Sequence, residues 1–543
     1  MACIVLAQVA SGAGPAILDR ATGELGQRLY LQGVLPSGAP LEGAQPGVGV
    51  TLRGADAACV NCHQRSGLGS HEGSAWIPPV TGAHLFSPRL LNAHEREMAE
   101  MGGPHGARGA YTEGTLARAI RSGLDSEGRP FSELMPRYAL DDAAMAALMA
   151  YLKQLSTHRP SGIAGAVVHL ATVVTPNADP VKRRAVLEVL QHFVTERNAA
   201  PMKPGLLLGT AGTPGQTGAL GLANRHWQLH VWTLTGTPDS WTKQLDREFA
   251  AQPVFALLSG VGGRDWAPVH DFCERHGVPC FFPEVDVPVV TNQDFYSVYF
   301  SRGVLLEAQL IAHSIAAAGT PTGLTAVHQI YRHGDSGEAA AEALAKELAA
   351  TKFAVSSEAV PTAATARVLR ETVGRVSAGS ILVLWLRSSD VAELVGSGPP
   401  TSRIYLSGLM SGGEYAPLPA SWRAHTRLSY PFELPQRRGV QLDYQLGWFA
   451  FRHIPIVDRQ AQADTFLACT LLTDAFKLMA EDVSAPYLIE QLHGLLEHRT
   501  LTGYYPRLAL ARGQRFASKG GYLVHFQAPQ GTALVADTAW TVP

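Results

Sequence analysis

Charge imbalance is what the sequence most plainly lacks. Against 44 Lys and Arg stand 46 Asp and Glu, a formal net charge of -2 over 543 residues. A nucleic-acid partner or an acidic membrane surface would call for a basic excess, so neither is expected. Long apolar runs are missing as well. None reaches the ~20 residues a helix needs to span a bilayer, so no transmembrane segment is expected. Charged residues are scarce at 17%, while 46% are hydrophobic. That is ample material for several cores and argues against disorder. The 54 Gly and 35 Pro follow no short period, which excludes collagen and low-complexity tracts. The length suggests about three or four compact units. Cysteine is rare, six in all, and its placement is the most informative feature.

Cys59, Cys62 and His63 spell C-V-N-C-H. In c-type haem attachment each thiol adds to a vinyl group, and the imidazole next to the second thiol becomes an iron ligand. A structural zinc site would need a second paired set. Cys3, Cys273, Cys280 and Cys469 offer no further C-x-x-C. A thioredoxin-like pair would sit inside a βαβ unit, whereas the flanks here are Gly54-Ala55-Asp56 and Gly67-Leu68-Gly69-Ser70. One covalent haem c is therefore expected. For the sixth iron position the first candidate is Met135, in Glu133-Leu134-Met135-Pro136-Arg137-Tyr138. The rivals are Met98, Met101, Met145 and Met149, and His71, His84, His94 and His105. Asp141 or Asp142 is expected to cap a helix running through Leu155, with Ala144, Leu148, Tyr151 and Leu152 on its buried stripe.

With these residues the chain resembles a class I cytochrome c over residues 20–158. Gly26-Gln27-Arg28-Leu29-Tyr30 resembles the family's N-terminal helix, which crosses the terminal helix through a Gly and an aromatic. Thr81-Gly82-Ala83-His84-Leu85 resembles its proximal stretch, with Ala83 where proline is usual. That proline's carbonyl orients the proximal imidazole in the family, so Pro78 or Pro79 is the expected substitute. The segment from Gly33 to Ala58 is longer than the family's usual connection. Residues 1–19 read either as the remnant of a signal peptide, with an apolar stretch and small residues but no basic start, or as an ordinary leading segment.

After a linker at 159–164 the pattern changes. Strands are expected at Ala166–Val174, Trp227–Leu234, Val254–Leu258, Thr325–Ile330, Ser380–Leu386 and Arg403–Leu406. Helices are expected between them, at Val181–Asn198, Ser240–Ala251, Asp265–His276, Gly303–Ala318 and Ser336–Ala350. Such alternation means doubly wound parallel sheets, and the length means two lobes. The fold class is thus multidomain: an all-α cytochrome c domain, then a two-lobed α/β region. Residues 165–530 resemble a type I periplasmic solute-binding protein of the branched-chain amino-acid receptor class. The resemblance rests on element order and on Val254–Gly260, Val278–Pro283, Tyr299–Arg302 and Arg515–Val524. It implies a hinge closing around a solute, with 531–543 as a tail.

Ligands of open parallel sheets sit beyond the carboxyl ends of strands. Ser259 and Gly260, in the S-G-V-G-G of Ser259 to Gly263, are expected to end a strand and open a helix, so that backbone N–H groups and the helix dipole receive an anionic group, or else to form a plain β–α turn. Glu284 and Asp286 could take a cationic or hydroxylated solute. Trp385 and Arg387 suit a small organic acid or an aromatic, and Ser407 ends a further strand. The family's pattern for an α-amino acid is not recognisable. Cys273 and Cys280, seven apart, would form a disulfide in an oxidising compartment, and Cys469 reads as core.

Three functions compete. The first is a periplasmic electron carrier with a solute-sensing module and a redox partner protein. The second is a receptor serving an ABC permease, with an accessory haem domain. The third is an oxidoreductase passing substrate electrons to haem. No G-x-G-x-x-G follows a strand and no nucleophile–base set is evident, so an enzyme ranks last.

Overall fold

The computed structural model describes residues 15–72, 75–89, 107–155, 160–199, 222–291, 294–317, 326–479, 482–511 and 513–543. Two compact units meet between Arg159 and Pro160.

In the first unit the helix Pro15–Gln32 crosses the helix Asp142–Gln154. It therefore begins inside the segment expected to precede the domain. The crossing works because Gly26 has no side chain: a Cβ there would lie 1.9 Å from the carbonyl oxygen of Ala147. One turn on, Tyr30 packs against Tyr151 with ring centroids 5.3 Å apart. Asp141 caps the second helix, its carboxylate accepting from the Ala144 N–H at 2.7 Å. The unit is not purely helical. The long connection after Gly33 forms a hairpin, Glu42–Gln45 with Val50–Arg53, and Arg137–Tyr138 pairs with its first strand. The extra length thus becomes a brace for the loop that carries Met135.

The second unit has two sheets. In the first, Glu284–Val285, Val261–Gly262, Val167–Val174, Ala256–Leu258, Cys280–Phe281 and Ser297–Val298 lie side by side, all parallel. His226–Thr233 also pairs parallel with Val167–Val174. In the second, Ala354–Val360, Ala326–Arg332, Ser380–Trp385, Ile404–Ser407 and Thr426–Tyr430 run parallel, and Tyr522–Phe526 and Leu534–Ala536 close it antiparallel. The strand Ser380–Trp385 is buried at every position, as a central parallel strand should be. Residues 531–543 are not a tail, since Leu534–Ala536 completes this sheet. Part of the expected linker, Ile163–Ala164, joins the first sheet.

The chain passes between the lobes three times, and the passages bond to one another. Tyr299 N–H donates to Arg515 O at 2.9 Å, Ala517 N–H to Tyr299 O at 3.0 Å, and Glu433 N–H to Tyr504 O at 2.8 Å. The helix Arg459–Leu478 packs on Pro180–Ala199, so it returns to the first lobe.

Candidate functional site

Cys59 caps a single helical turn, Val60–His63, and the His63 N–H donates to Cys59 O at 3.0 Å. That turn presents Cys59, Cys62 and His63 together. Neither thiol is in a disulfide and both are half-buried, while His63 is 6% exposed. The His63 Nδ1 lies 3.0 Å from Pro78 O. A carbonyl only accepts, so Nδ1 carries the proton and Nε2 holds a lone pair. Pro78 therefore fills the orienting role left open by Ala83. Burial pushes the imidazole below its usual value and keeps it neutral, and the same cause pushes the Cys59 thiol up to about 12. Two neighbouring thiols to add to the vinyl groups and a neutral, tautomerically fixed imidazole to donate to iron are what a covalently attached haem needs.

Met135 is half-buried and packs against the core cluster that Cys59 and Val60 also join. The hairpin holds its loop: Gln45 Nε2 donates to Leu134 O at 2.9 Å. Met145 and Met149 are buried core residues of the terminal helix. His84 is engaged by Thr81 at 2.8 Å. Met98, Met101, His94 and His105 lie outside the described residues.

In the second unit the expected residues part company. Trp385 is fully buried, and its indole N–H donates to Gln329 at 2.8 Å, so it is core and no platform. Ser407 is also fully buried. It caps Gly408–Ser411 and donates to Glu307. Ser259 and Gly260 do not open a helix. The chain continues as Val261–Gly262, an inner strand paired on both sides, and the helix waits until Ala267. No helix dipole therefore reaches Ser259. Cys273 and Cys280 come together as expected, but as free, fully buried thiols with a hydrogen bond between them, not as a disulfide. The left-handed Gly277 turns the chain back and brings them side by side.

Glu284, Asp286 and Arg387 do meet. Asp286 accepts from Lys182 at 3.0 Å on one oxygen, and from Arg387 and Ser336 at 2.8 and 2.9 Å on the other. Arg387 also pairs with Asp335 at 2.8 Å. Lys182 and Asp286 belong to the first lobe, Arg387, Asp335 and Ser336 to the second, so the cluster ties the lobes together. Arg264 and Glu338 add a second tie. Burial pushes the Asp286 carboxyl up, but Lys182 and Arg387 more than offset it and hold it well below the carboxylate range. Beside this cluster lies a cavity of about 30 Å³. Its polar lining includes Lys182, Glu284, Asp286, Gln460, Asp464 and Tyr505.

Sequence reasoning missed Lys182, Asp335, Gln460, Asp464 and Tyr505. Asp464 had a signal, being a carboxylate just before the apolar run Phe466 to Leu472.

Glu307 is the other buried acid. Leu409 N–H, Ser429 and Ser407 all donate to it. Burial still raises its carboxyl from 4.5 to about 7. A raised carboxyl stabilises the fold at low pH, and that stability is lost as pH rises from the unfolded value through the folded one. Glu307→Gln is thus expected to remove a fall of about 3 kcal/mol in unfolding free energy between pH ~4.5 and ~7. Urea titrations across that range check it.

Residues 53–156 match the family model described as cytochrome c. No curated protein matches the chain. Among solved structures, it is similar to a branched-chain amino acid ABC transporter protein from Thermus thermophilus with bound valine. That match has 9% identity and a TM-score of 0.51, and it covers 70% of this chain and 98% of that one. A branched-chain amino acid transporter substrate-binding protein from Streptococcus pneumoniae matches at 11% identity and a TM-score of 0.49, covering 69% and 100%. The chain thus joins a cytochrome c domain to a region with the two-lobed fold of the type I periplasmic branched-chain amino-acid binding proteins.

Proposed function

We propose that the chain is an extracytoplasmic mono-haem c-type cytochrome, an electron carrier, fused to a module that binds a small solute. One observation carries the haem reading: a single helical turn brings together two thiols outside any disulfide and a neutral His63 whose Nδ1 is already committed to Pro78 O. When bound, haem supplies one-electron chemistry. Cys59 and Cys62 would hold it covalently, and the Nδ1–H bond to Pro78, which fixes the His63 ring, would strengthen Nε2 as a donor to the iron. Met135 would supply a second iron ligand. Haem is attached outside the cytoplasm, and the fold of the second unit is that of proteins named for periplasmic binding, so both halves support an envelope location. The valine held by the Thermus protein supports a small solute between the lobes here.

The full chain, made in a host that attaches haem, is expected to carry one covalent haem by pyridine haemochrome and intact mass. Absence of both the Soret band and the added mass would sink the reading. Met135→Ala is expected to lower the midpoint potential by on the order of 0.1 V or more, because a thioether ligand raises it. An unchanged potential in a redox titration would exclude Met135. A ligand-induced thermal shift across a metabolite panel tests the solute module.

A further inference from the structure

The cavity between the lobes has an uneven supply of charge. Its one lining cation, Lys182, and the neighbouring Arg387 are already satisfied. Lys182 pairs with Asp286, and Arg387 with Asp286 and Asp335. An incoming carboxylate would find no free positive group among the described residues lining the cavity, and would face Asp286. The acids on the other wall are in the opposite condition. Asp464 is 1% exposed, and Tyr505 and Gln460 donate to its Oδ2 at 2.7 and 2.5 Å. Its Oδ1 is buried and has no partner among the described residues. Glu284, also buried, lines the same cavity. A buried carboxylate oxygen without a donor costs free energy, and a small cationic donor would relieve that cost. The cavity, about 30 Å³, has room for an ammonium head.

We propose that this cavity takes the ammonium head of a small primary amine bearing no carboxylate, held by Asp464 and Glu284. The proposal rests on the solute-binding reading above and narrows it to a ligand class. Burial and mutual repulsion raise the Glu284 carboxyl, and burial raises that of Asp464 to about 7. Lys182 lowers both, while Asp458, at the start of the same helix as Asp464, raises both. The empty pair therefore retains a proton near neutral pH. As the ammonium enters with its own three protons, the retained carboxyl proton leaves to solvent, and charge is conserved.

The test is calorimetric titration of the full haem-bearing chain with methylammonium, glycine, leucine and acetate, in buffers of different ionisation enthalpy at pH ~6 and ~8. Methylammonium is expected to bind saturably, with proton release, and more tightly at the higher pH. Glycine and leucine are expected to bind at least about tenfold more weakly, and acetate not at all. Asp464→Asn is expected to weaken methylammonium by about tenfold or more, with Glu284→Gln as the second variant should the first not fold. Glycine or leucine binding as tightly as methylammonium would overturn the amine assignment and leave the solute reading standing. Unaltered methylammonium affinity in both variants would overturn it too. No binding here, together with no thermal shift across the metabolite panel, would overturn both.

Discussion

The double variant Cys59→Ser, Cys62→Ser is expected to carry no covalent haem at all. Haem-stained denaturing gels and intact mass read the outcome directly. Each single variant is expected to keep one thioether and a reduced yield, since the two thiols serve different vinyl groups. His63→Ala separates attachment from ligation. It leaves both thiols on the same helical turn, so covalent haem should persist while the ligation spectrum changes. The loss should be confined to the first unit. Its core is a separate cluster built on the crossing helices, and the second unit has its own. Thermal unfolding followed at the Soret band and by far-ultraviolet dichroism would show this as a change in one transition only. Covalent haem persisting in the double variant would refute the assignment of these thiols.

Why these residues were legible and others were not follows from the range of the interactions. The haem motif is local: three side chains on one helical turn, readable from spacing. The Gly26 and Tyr30 crossing was legible only through the resemblance to class I cytochromes c, in which a Gly and an aromatic mark the crossing of the two terminal helices. The parallel strands were legible because their burial makes them short and apolar. Pro78 could be named only as one of two options, since choosing between adjacent carbonyls needs the path of the loop. The cleft was the least legible. Trp385 ends its strand inside the core, whereas Arg387 lies beyond the strand, at the cap of the helix Ser388–Ala392, where the chain has left the pleat and its side chain reaches Asp286 and Asp335. Nothing local indicates which is which. Asp335, Asp464 and Tyr505 lie far from Glu284 in sequence, and only the three lobe crossings bring them together. The segment after Ser259 misled for a different reason. Its glycines suggested a turn into a helix, yet Val261 pairs with both Val174 and Glu284, and pairing on two sides outweighs a glycine-rich composition.

Asp286→Ala is expected to destabilise the second unit by about 3–5 kcal/mol, the cost of leaving buried charges without their partner. Lys182 loses its ion pair outright, and Arg387 keeps only Asp335. All three side chains are largely shielded from solvent, so screening does little to soften the loss. Guanidinium titrations followed by tryptophan fluorescence give the difference. The pH dependence supplies a second and independent check. Because the folded carboxyl of Asp286 is held below its unfolded value, its contribution is present above pH ~4 and is lost as the solution is acidified. The wild type should therefore lose stability below pH ~4 more steeply than the variant. Glu307 works in the opposite sense, contributing at low pH and not above pH ~7, so the two acids can be separated by the pH at which each variant departs from wild type. A triple replacement, Asp286→Leu with Lys182→Met and Arg387→Met, should recover stability lost by Asp286→Ala, since it removes the buried charges along with their partner. It should also weaken the tie between the lobes, because leucine and methionine offer contact without direction. If Asp286→Ala instead melts like the wild type and keeps its acid slope, the three groups are not bonded as described, and the lobes are held by their crossings and the Arg264–Glu338 pair.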